Sequence, residues 1–212
     1  MIEERFSSTD QLQKLLLNAA SQWGPSGSGK TTLLQIIATF LHPTSGKRII
    51  FGEELTPEQS SKFEIIRSKI GYLHQAPYLP KNIKVLKYLE LYGSLSGIGL
   101  TTLEERIPEI MLELQIEELK NNSLSKLSGG EKQRVALASQ ILKKNISLLL
   151  LDEPTGSLDY DNCQLVWNLI ERINKTGTTV IVVTHDITIK SKTRNIHSLD
   201  NGKLSNKKSK KN

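Results

Sequence analysis

Gly24-Pro25-Ser26-Gly27-Ser28-Gly29-Lys30-Thr31 is the stretch on which the reading of this chain turns. It fits the phosphate-binding loop G-x-x-x-x-G-K-[ST], a pattern that arises by chance in about one random chain of this length in a hundred. Glycines let successive backbone N–H groups turn inward around phosphate oxygens, and a helix that follows adds positive potential at its N-terminus. The expected phosphate contacts are Gly24, Pro25, Ser26, Gly27, Ser28, Gly29, Lys30, Thr31 and Thr32. Within them Lys30 reaches the β and γ phosphates and the Thr31 hydroxyl is a ligand of Mg²⁺.

Such a loop belongs between a strand and a helix, and the rest of the sequence supplies that alternation. Ser147 to Leu151 and Thr179 to Thr184 are continuous apolar runs bounded by polar residues, as strands buried on both faces of a parallel sheet are. Between them Leu165, Val166, Leu169, Ile170 and Ile173 recur at helical spacing, which completes a βαβ unit. Further helices are expected at 30–41, 57–70, 83–92, 102–114 and 131–144. Thr101 and Glu104 have the spacing of a capping box, and Pro108 argues against a straight helix there.

The first of the two strands runs Leu148-Leu149-Leu150-Leu151 into Asp152-Glu153. An acid at the carboxyl end of a buried parallel strand lies at the sheet edge where ligands bind. Asp152 is therefore the candidate to hold Mg²⁺ through water, and Glu153 to polarise an attacking water.

Leu127-Ser128-Gly129-Gly130-Glu131-Lys132-Gln133-Arg134 opens the helix expected after it. Two glycines and a serine at a helix start present free N–H groups to phosphate. With this segment the sequence resembles the ATP-binding-cassette (ABC) ATPases, and the resemblance runs from Gly24 to about Leu204. It implies that Ser128, Gly129, Gly130 and Glu131 complete the ATP site of a second copy, so that nucleotide is sandwiched in a dimer. Gln75, in Gly71-Tyr72-Leu73-His74-Gln75, resembles the glutamine that senses Mg²⁺ and the attacking water. Asp159, in Ser157-Leu158-Asp159, resembles the loop that crosses the dimer interface, and His185 the histidine that contacts the γ-phosphate. Catalysis would then rest on Glu153, His185 and Gln75, and metal binding on Thr31, Gln75 and Asp152, with ATP and Mg²⁺ as the small molecules. Leu151 to Asp159 and Arg67 look like the subgroup that serves lipoprotein release, macrolide export and cell division.

The implied fold is an α/β P-loop NTPase with a mainly parallel sheet flanked by helices and an inserted helical subdomain at about 76–140. The implied partners are a second ATPase subunit and a separate transmembrane permease, at the inner face of the cell membrane. The domain reading is residues 1–23 as an atypical N-terminal segment, 24–204 as the ATPase domain and 205–212 as a basic tail.

Composition narrows the alternatives. The 212 residues carry 28 Lys+Arg against 22 Asp+Glu, a formal +6, with a pI near 9.3. Lys203, Lys207, Lys208, Lys210 and Lys211 sit in the last ten residues without an acid. Removing these five lysines leaves 23 basic against 22 acidic groups, so the body is almost neutral and no nucleic-acid partner is expected. No apolar run approaches the ~20 residues of a membrane-spanning helix, and the acidic start MIEER is unlike a signal peptide. The single Cys163 reads as a buried small hydrophobe, and a lone cysteine fits a reducing compartment. His42, His74 and His197 match no motif and read as surface or structural.

The departure from the family is at the start. An antiparallel strand subdomain and the core strand leading into the loop need roughly 25 or more residues, and only 23 precede Gly24. Ser8 and Gln11 space a capping box, and Leu12, Leu15, Leu16 and Ala19 recur helically, so this segment reads as helix. Residues 18–23 make a poor buried strand, although a short one at 19–23 stays open. The strand subdomain is expected to be reduced or atypical, either naturally or through a truncated or shifted reading frame. Phe6 and Trp23 are the upstream aromatics available to adenine. Ser139-Gln140 stands where the family commonly has Arg-Ala. Two rival functions are weighed against the transporter ATPase: an ATP-binding scaffold with impaired turnover, and an ABC ATPase acting on DNA or ribosomes.

Overall fold

The computed structural model describes residues 20–23, 27–143, 145–185, 195–200 and 202–207. Its main sheet has six strands: β1 (Ala20–Trp23), β4 (Ile70–Leu73), β5 (Leu148–Asp152), β6 (Thr179–Val183), β7 (Asn195–Asp200) and β8 (Lys203–Lys207). Their order is β4-β5-β6-β1-β7-β8, parallel throughout except for the antiparallel β8. A separate antiparallel pair joins β2 (Ile49–Ile50) to β3 (Glu53–Glu54).

The leucine run explains why the sheet is covered on both faces. Strand residues alternate in direction, so Leu148 and Leu150 enter one core while Leu149 and Leu151 enter the other. The first core is closed by α1 (Lys30–Ile37) and α2 (Ser60–Ser68) through Leu33, Leu34, Ile37, Phe63 and Ile66. The second is closed by α5 (Gly129–Ile141) and α6 (Tyr160–Lys175), and continues into α3 (Val85–Leu95) and α4 (Leu100–Glu113). The expected β5-α6-β6 unit forms, with Leu148 to Asp152 paired in register with Thr179 to Val183.

The helical middle packs on itself: Leu103, Ile107, Ile110 and Met111 of α4 face Val85 and Leu89 of α3. Gly93 allows that close contact: a Cβ there would overlap a Leu103 methyl, and Leu103 would have to turn aside. Pro108 sits inside α4 on its solvent side, where the carbonyl its missing N–H leaves free is open to water. The Thr101–Glu104 capping box does not form. The helix begins at Leu100 with Gly99 at the cap position, which places Thr101 inside the first turn. A capping box does form at Ser128 and Glu131, where the same S-x-x-E spacing stands.

Residues 20–23, read as a poor strand, are a central strand. β1 lies between β6 and β7 and is parallel to both. Two flanking ladders supply the backbone pairing, and that context overrides the weak propensity of Ala-Ser-Gln-Trp. The helix read over residues 8–19 lies outside the described residues. At the other end, Ser205, Asn206 and Lys207, counted in the basic tail, pair with β7 as part of β8.

The residues that depart from Arg-Ala have found other partners. Gln140 Oε1 accepts from the Tyr72 backbone N–H at 3.1 Å and from the Tyr92 hydroxyl at 3.0 Å. Ser139 Oγ donates to Ala136 O and lies 3.3 Å from the Tyr88 hydroxyl. Arg67 donates from Nε and Nη2 to the side chain and carbonyl of Thr39, both at 2.8 Å, and so holds the left-handed turn (φ 66°) that ends the helix following the glycine loop.

Candidate active site

At the carboxyl edge of the parallel strands, the loop before α1 faces the ends of β5 and β6 across a cleft of about 240 Å³. Gly27 and Gly29 hold φ of 79° and 97°, values in the left-handed region where a side chain is strained, which is why the loop needs glycine at both. That turn brings the chain into α1, whose first residue is Lys30. The lysine is buried, and its Nζ donates to Ser28 Oγ at 3.4 Å. Burial pushes its pKa down, opposed by Glu153 and Asp152. An ammonium in this position is held by negative charge opposite it.

Asp152 ends β5 and is 2% exposed. Its Oδ2 accepts from the Thr31 hydroxyl at 2.7 Å, a bond across the cleft between residues 121 positions apart. Consecutive strand residues point to opposite faces, yet both acids line the cleft. Glu153 does so because its own backbone turns into the left-handed region (φ 49°) directly after the strand. Its N–H donates to Val183 O at 2.8 Å, which anchors the turn to β6. His185, on the loop after β6, places Nε2 3.4 Å from Glu153 Oε1.

Burial is the largest influence on both acids and raises both pKa values; the Thr31 hydrogen bond opposes it at Asp152, and the Thr184 hydrogen bond and His185 oppose it at Glu153. The sign of the linkage follows. A folded-state pKa above the ordinary carboxylate value means the folded chain binds the proton more tightly, so stability falls as pH rises from the ordinary value through the raised one. The penalty is absent below the ordinary carboxylate value and grows as pH rises towards the raised one. Asp152→Asn, which can still accept from Thr31, is expected to raise the melting temperature of the free chain at pH 7. The gain should vanish below about pH 4, where the carboxyl is protonated in both states. Thermal unfolding of the two chains across this range checks both statements.

The cleft thus gathers Gly27, Gly29, Lys30, Thr31, Thr32, Gln75, Asp152, Glu153 and His185, all singled out in the sequence. Ser28 is buried beneath it. Gly24, Pro25 and Ser26 lie outside the described residues, as does Phe6, and of the Trp23 side chain nothing is described. Ser128, Gly129, Gly130, Glu131 and Asp159 do not line the cleft. Ser128 caps α5 with its side chain accepting from Glu131 N, while Glu131 Oε2 accepts from Ser128 N at 2.7 Å. Asp159 caps α6, accepting from Asn162 N at 2.9 Å. These two helix starts touch each other: a Cβ on Gly130 would stand 3.1 Å from Ser157 O and 3.0 Å from a Leu158 methyl.

Sequence reasoning quoted Gln133 and Arg134 in the segment that begins at Leu127 but gave them no role, and passed over Asn162. Gln133 Nε2 donates to Glu153 O at 3.4 Å, Arg134 donates to Asn162 Oδ1, and Asn162 Nδ2 donates to both Asp159 oxygens. Their spacing along α5 and α6 carries no signal, because the contacts join different elements. Of the histidines without a motif, His197 is buried on β7, His42 lies edge-on to Phe63, and His74 packs against Phe40 and Tyr72. Cys163 is half-buried beside the Thr155 and Leu158 carbonyls.

Comparison with known proteins agrees with this geometry. The family described as "ABC transporter" matches residues 20–156. The lipoprotein-releasing system ATP-binding protein LolD of Buchnera aphidicola (strain APS) is 34% identical over 185 residues, which is 86% of this chain and 81% of LolD. The ABC transporter ATP-binding protein YknY of Bacillus subtilis is 33% identical over 182 residues, which is 85% of this chain and 79% of YknY. Among solved structures, the dimeric post-hydrolysis state of the ATP-binding cassette MJ0796 bound to ADP and Pi superposes with a TM-score of 0.84 at 30% identity, covering 92% of this chain and 87% of that one. Among the described residues no helix is long and apolar enough to cross a membrane. A phosphate loop, a strand-end acid pair and a Ser-Gly-Gly-Glu helix start, joined on one sheet edge in a chain with these relatives, have one meaning: the chain belongs to the ABC transporter family, as an ATP-binding subunit that hydrolyses ATP.

Proposed function

We propose that two copies of this chain close around two ATP molecules and that hydrolysis reopens them, driving a separate transmembrane permease at the inner face of the cell membrane. The observation that carries the reading is the Thr31–Asp152 hydrogen bond beside Lys30 and Glu153, which sets the phosphate side and the water side of one cleft face to face. In this reading the amides of Gly27 to Thr32 and the Lys30 ammonium cradle the phosphates. Glu153 orients and polarises the attacking water, and His185, in contact with Glu153, meets the γ-phosphate. Phosphoryl transfer asks mainly for position and charge neutralisation, which a fixed set of donors in a half-buried cleft supplies.

The donor set fits Mg²⁺. Thr31, Gln75 and Asp152 offer hard oxygen atoms in the lining of the cleft, and Mg²⁺ prefers one or two carboxylates with water and substrate phosphates to a protein cage. Bound there, the ion would neutralise charge developing between the β and γ phosphates. Ser128–Glu131 and Asp159, outside this cleft but adjacent to one another, are the surface offered to the second copy. The loop after Gln75 carries Tyr78, 88% exposed, and the strand before that loop brings Tyr72, with Phe40, His74, Tyr92 and Lys143, to the lining of a second cavity of about 200 Å³. That side is the proposed permease contact. The relation to the lipoprotein-releasing system protein LolD favours a lipid-linked cargo, selected by the permease.

The test is removal of the metal. With excess EDTA, phosphate release should fall to background and return on adding Mg²⁺. Turnover that persists without any divalent ion would contradict the assignment of Thr31, Gln75 and Asp152.

A further inference from the structure

We propose that Gln133 is a positioning residue for hydrolysis: its side-chain amide, carried on the helix that Ser128–Glu131 opens, holds the peptide of Glu153 in the conformation that turns its carboxylate into the cleft. The inference rests on the role of Glu153 proposed above and extends it to how the two sites of a dimer are coupled.

Glu153 stands at φ 49°, which a non-glycine residue keeps only where its surroundings fix it. Three hydrogen bonds fix this peptide. Glu153 N donates to Val183 O at 2.8 Å, and Glu153 O accepts from Gly156 N at 3.2 Å and from Gln133 Nε2 at 3.4 Å. The first comes from the neighbouring strand and the second from the turn's own backbone. The third is the side-chain contribution, and it comes from α5. Gln133 is 2% exposed, so its amide is committed to this interior position.

The same helix grips the other end of the segment. Arg134 donates to Asn162 Oδ1, and Asn162 donates to both carboxylate oxygens of Asp159. Between these two ends, Gly130 lies so close to Ser157 O that a Cβ would stand 3.1 Å from it and force that backbone to give way. The first two turns of α5 therefore contact residues 153, 157 and 162 of the same chain, and reach Asp159 through Asn162. A helix is stiff, so a displacement of its Ser128 end is felt at Glu153 through Gln133 and at Asp159 through Arg134 and Asn162. Nucleotide carried by a second copy and seated on Ser128–Glu131 would thus set the Glu153 peptide of this chain. Each site would be prepared for hydrolysis by occupancy of the other.

Gln133→Met keeps length and volume but removes the donor. We expect kcat for ATP to fall about tenfold with KM changed by less than about twofold, since a misplaced catalytic group costs rate and leaves substrate binding intact. A residue acting through Glu153 should lose its effect once that carboxylate is gone. In a Glu153→Gln background, Gln133→Met should therefore leave the residual rate unchanged. A kcat within about twofold of the parent, or an equal proportional loss in both backgrounds, would overturn the proposal. If the methionine variant does not fold, Gln133→Glu is read by the same two ratios. Full turnover in Glu153→Gln alone would sink the role of Glu153; loss of turnover there with an unaffected Gln133→Met sinks the present inference alone.

Discussion

Glu153→Gln is expected to bind ATP with near-parental affinity and to lose about 10²- to 10⁴-fold in turnover, the usual span for removing a group that takes a proton in the transition state. The substitution is nearly isosteric. The backbone turn at residue 153 depends on main-chain atoms and Gln133, none of which it alters. What it removes is the capacity to accept a proton from water beside His185. The raised pKa of Glu153 brings it closer to the working pH than an ordinary surface glutamate, as suits a general base. Steady-state phosphate release beside equilibrium ATP binding checks the split. A variant that retained parental kcat would move the base elsewhere in the cleft.

Lys30→Ala is expected to act on the other quantity. Lys30 brings a buried positive charge to a cleft that already holds two carboxylates. ATP would add further negative charge, and without the ammonium nothing in the cleft's described side chains replaces it. A charge-assisted hydrogen bond of about 1.5–3 kcal/mol corresponds to a loss of about 10- to 100-fold in ATP affinity. Turnover should fall further, by about 10²- to 10³-fold, because the charge on the transferring group is greatest in the transition state. Titration with a fluorescent ATP analogue reads the first and phosphate release the second. The two variants therefore separate binding from chemistry: Glu153→Gln spares affinity, and Lys30→Ala does not.

Much of the site was legible because its parts are local. The glycine loop, Asp152-Glu153 and Ser128-Gly-Gly-Glu131 are contiguous segments whose chemistry needs neighbouring residues, and the cleft gathers the first two with Gln75 and His185. The apolar runs at 148–151 and 179–184 announced a sheet covered on both faces, and the two cores bear this out residue by residue.

What escaped the sequence is what depends on tertiary partners. β1 is held by ladders on both sides, which its own four residues do not reveal. β8 is a lysine-containing edge strand that looked like a solvated end, because Lys203 and Lys207 mask the alternation around Leu204. Edge strands commonly carry such lysines, which discourage pairing with further chains. The Thr101–Glu104 capping box had the right spacing in the wrong frame, because the cap position is Gly99, two residues before Thr101. Gln133, Arg134 and Asn162 are ordinary polar residues of helices until α5 and α6 are set against the Glu153–Asp159 segment. Their role is a property of that arrangement.

The measurement that bears most directly on the central claim is the mass of the Glu153→Gln chain in solution, by light scattering, with and without ATP and Mg²⁺. The account predicts a single chain of 23.7 kDa without nucleotide and twice that mass with it, the change being lost when Ser128→Phe blocks the surface offered to the second copy's ATP. A chain that binds ATP and stays at 23.7 kDa, or that pairs equally well with Ser128 blocked, would contradict it.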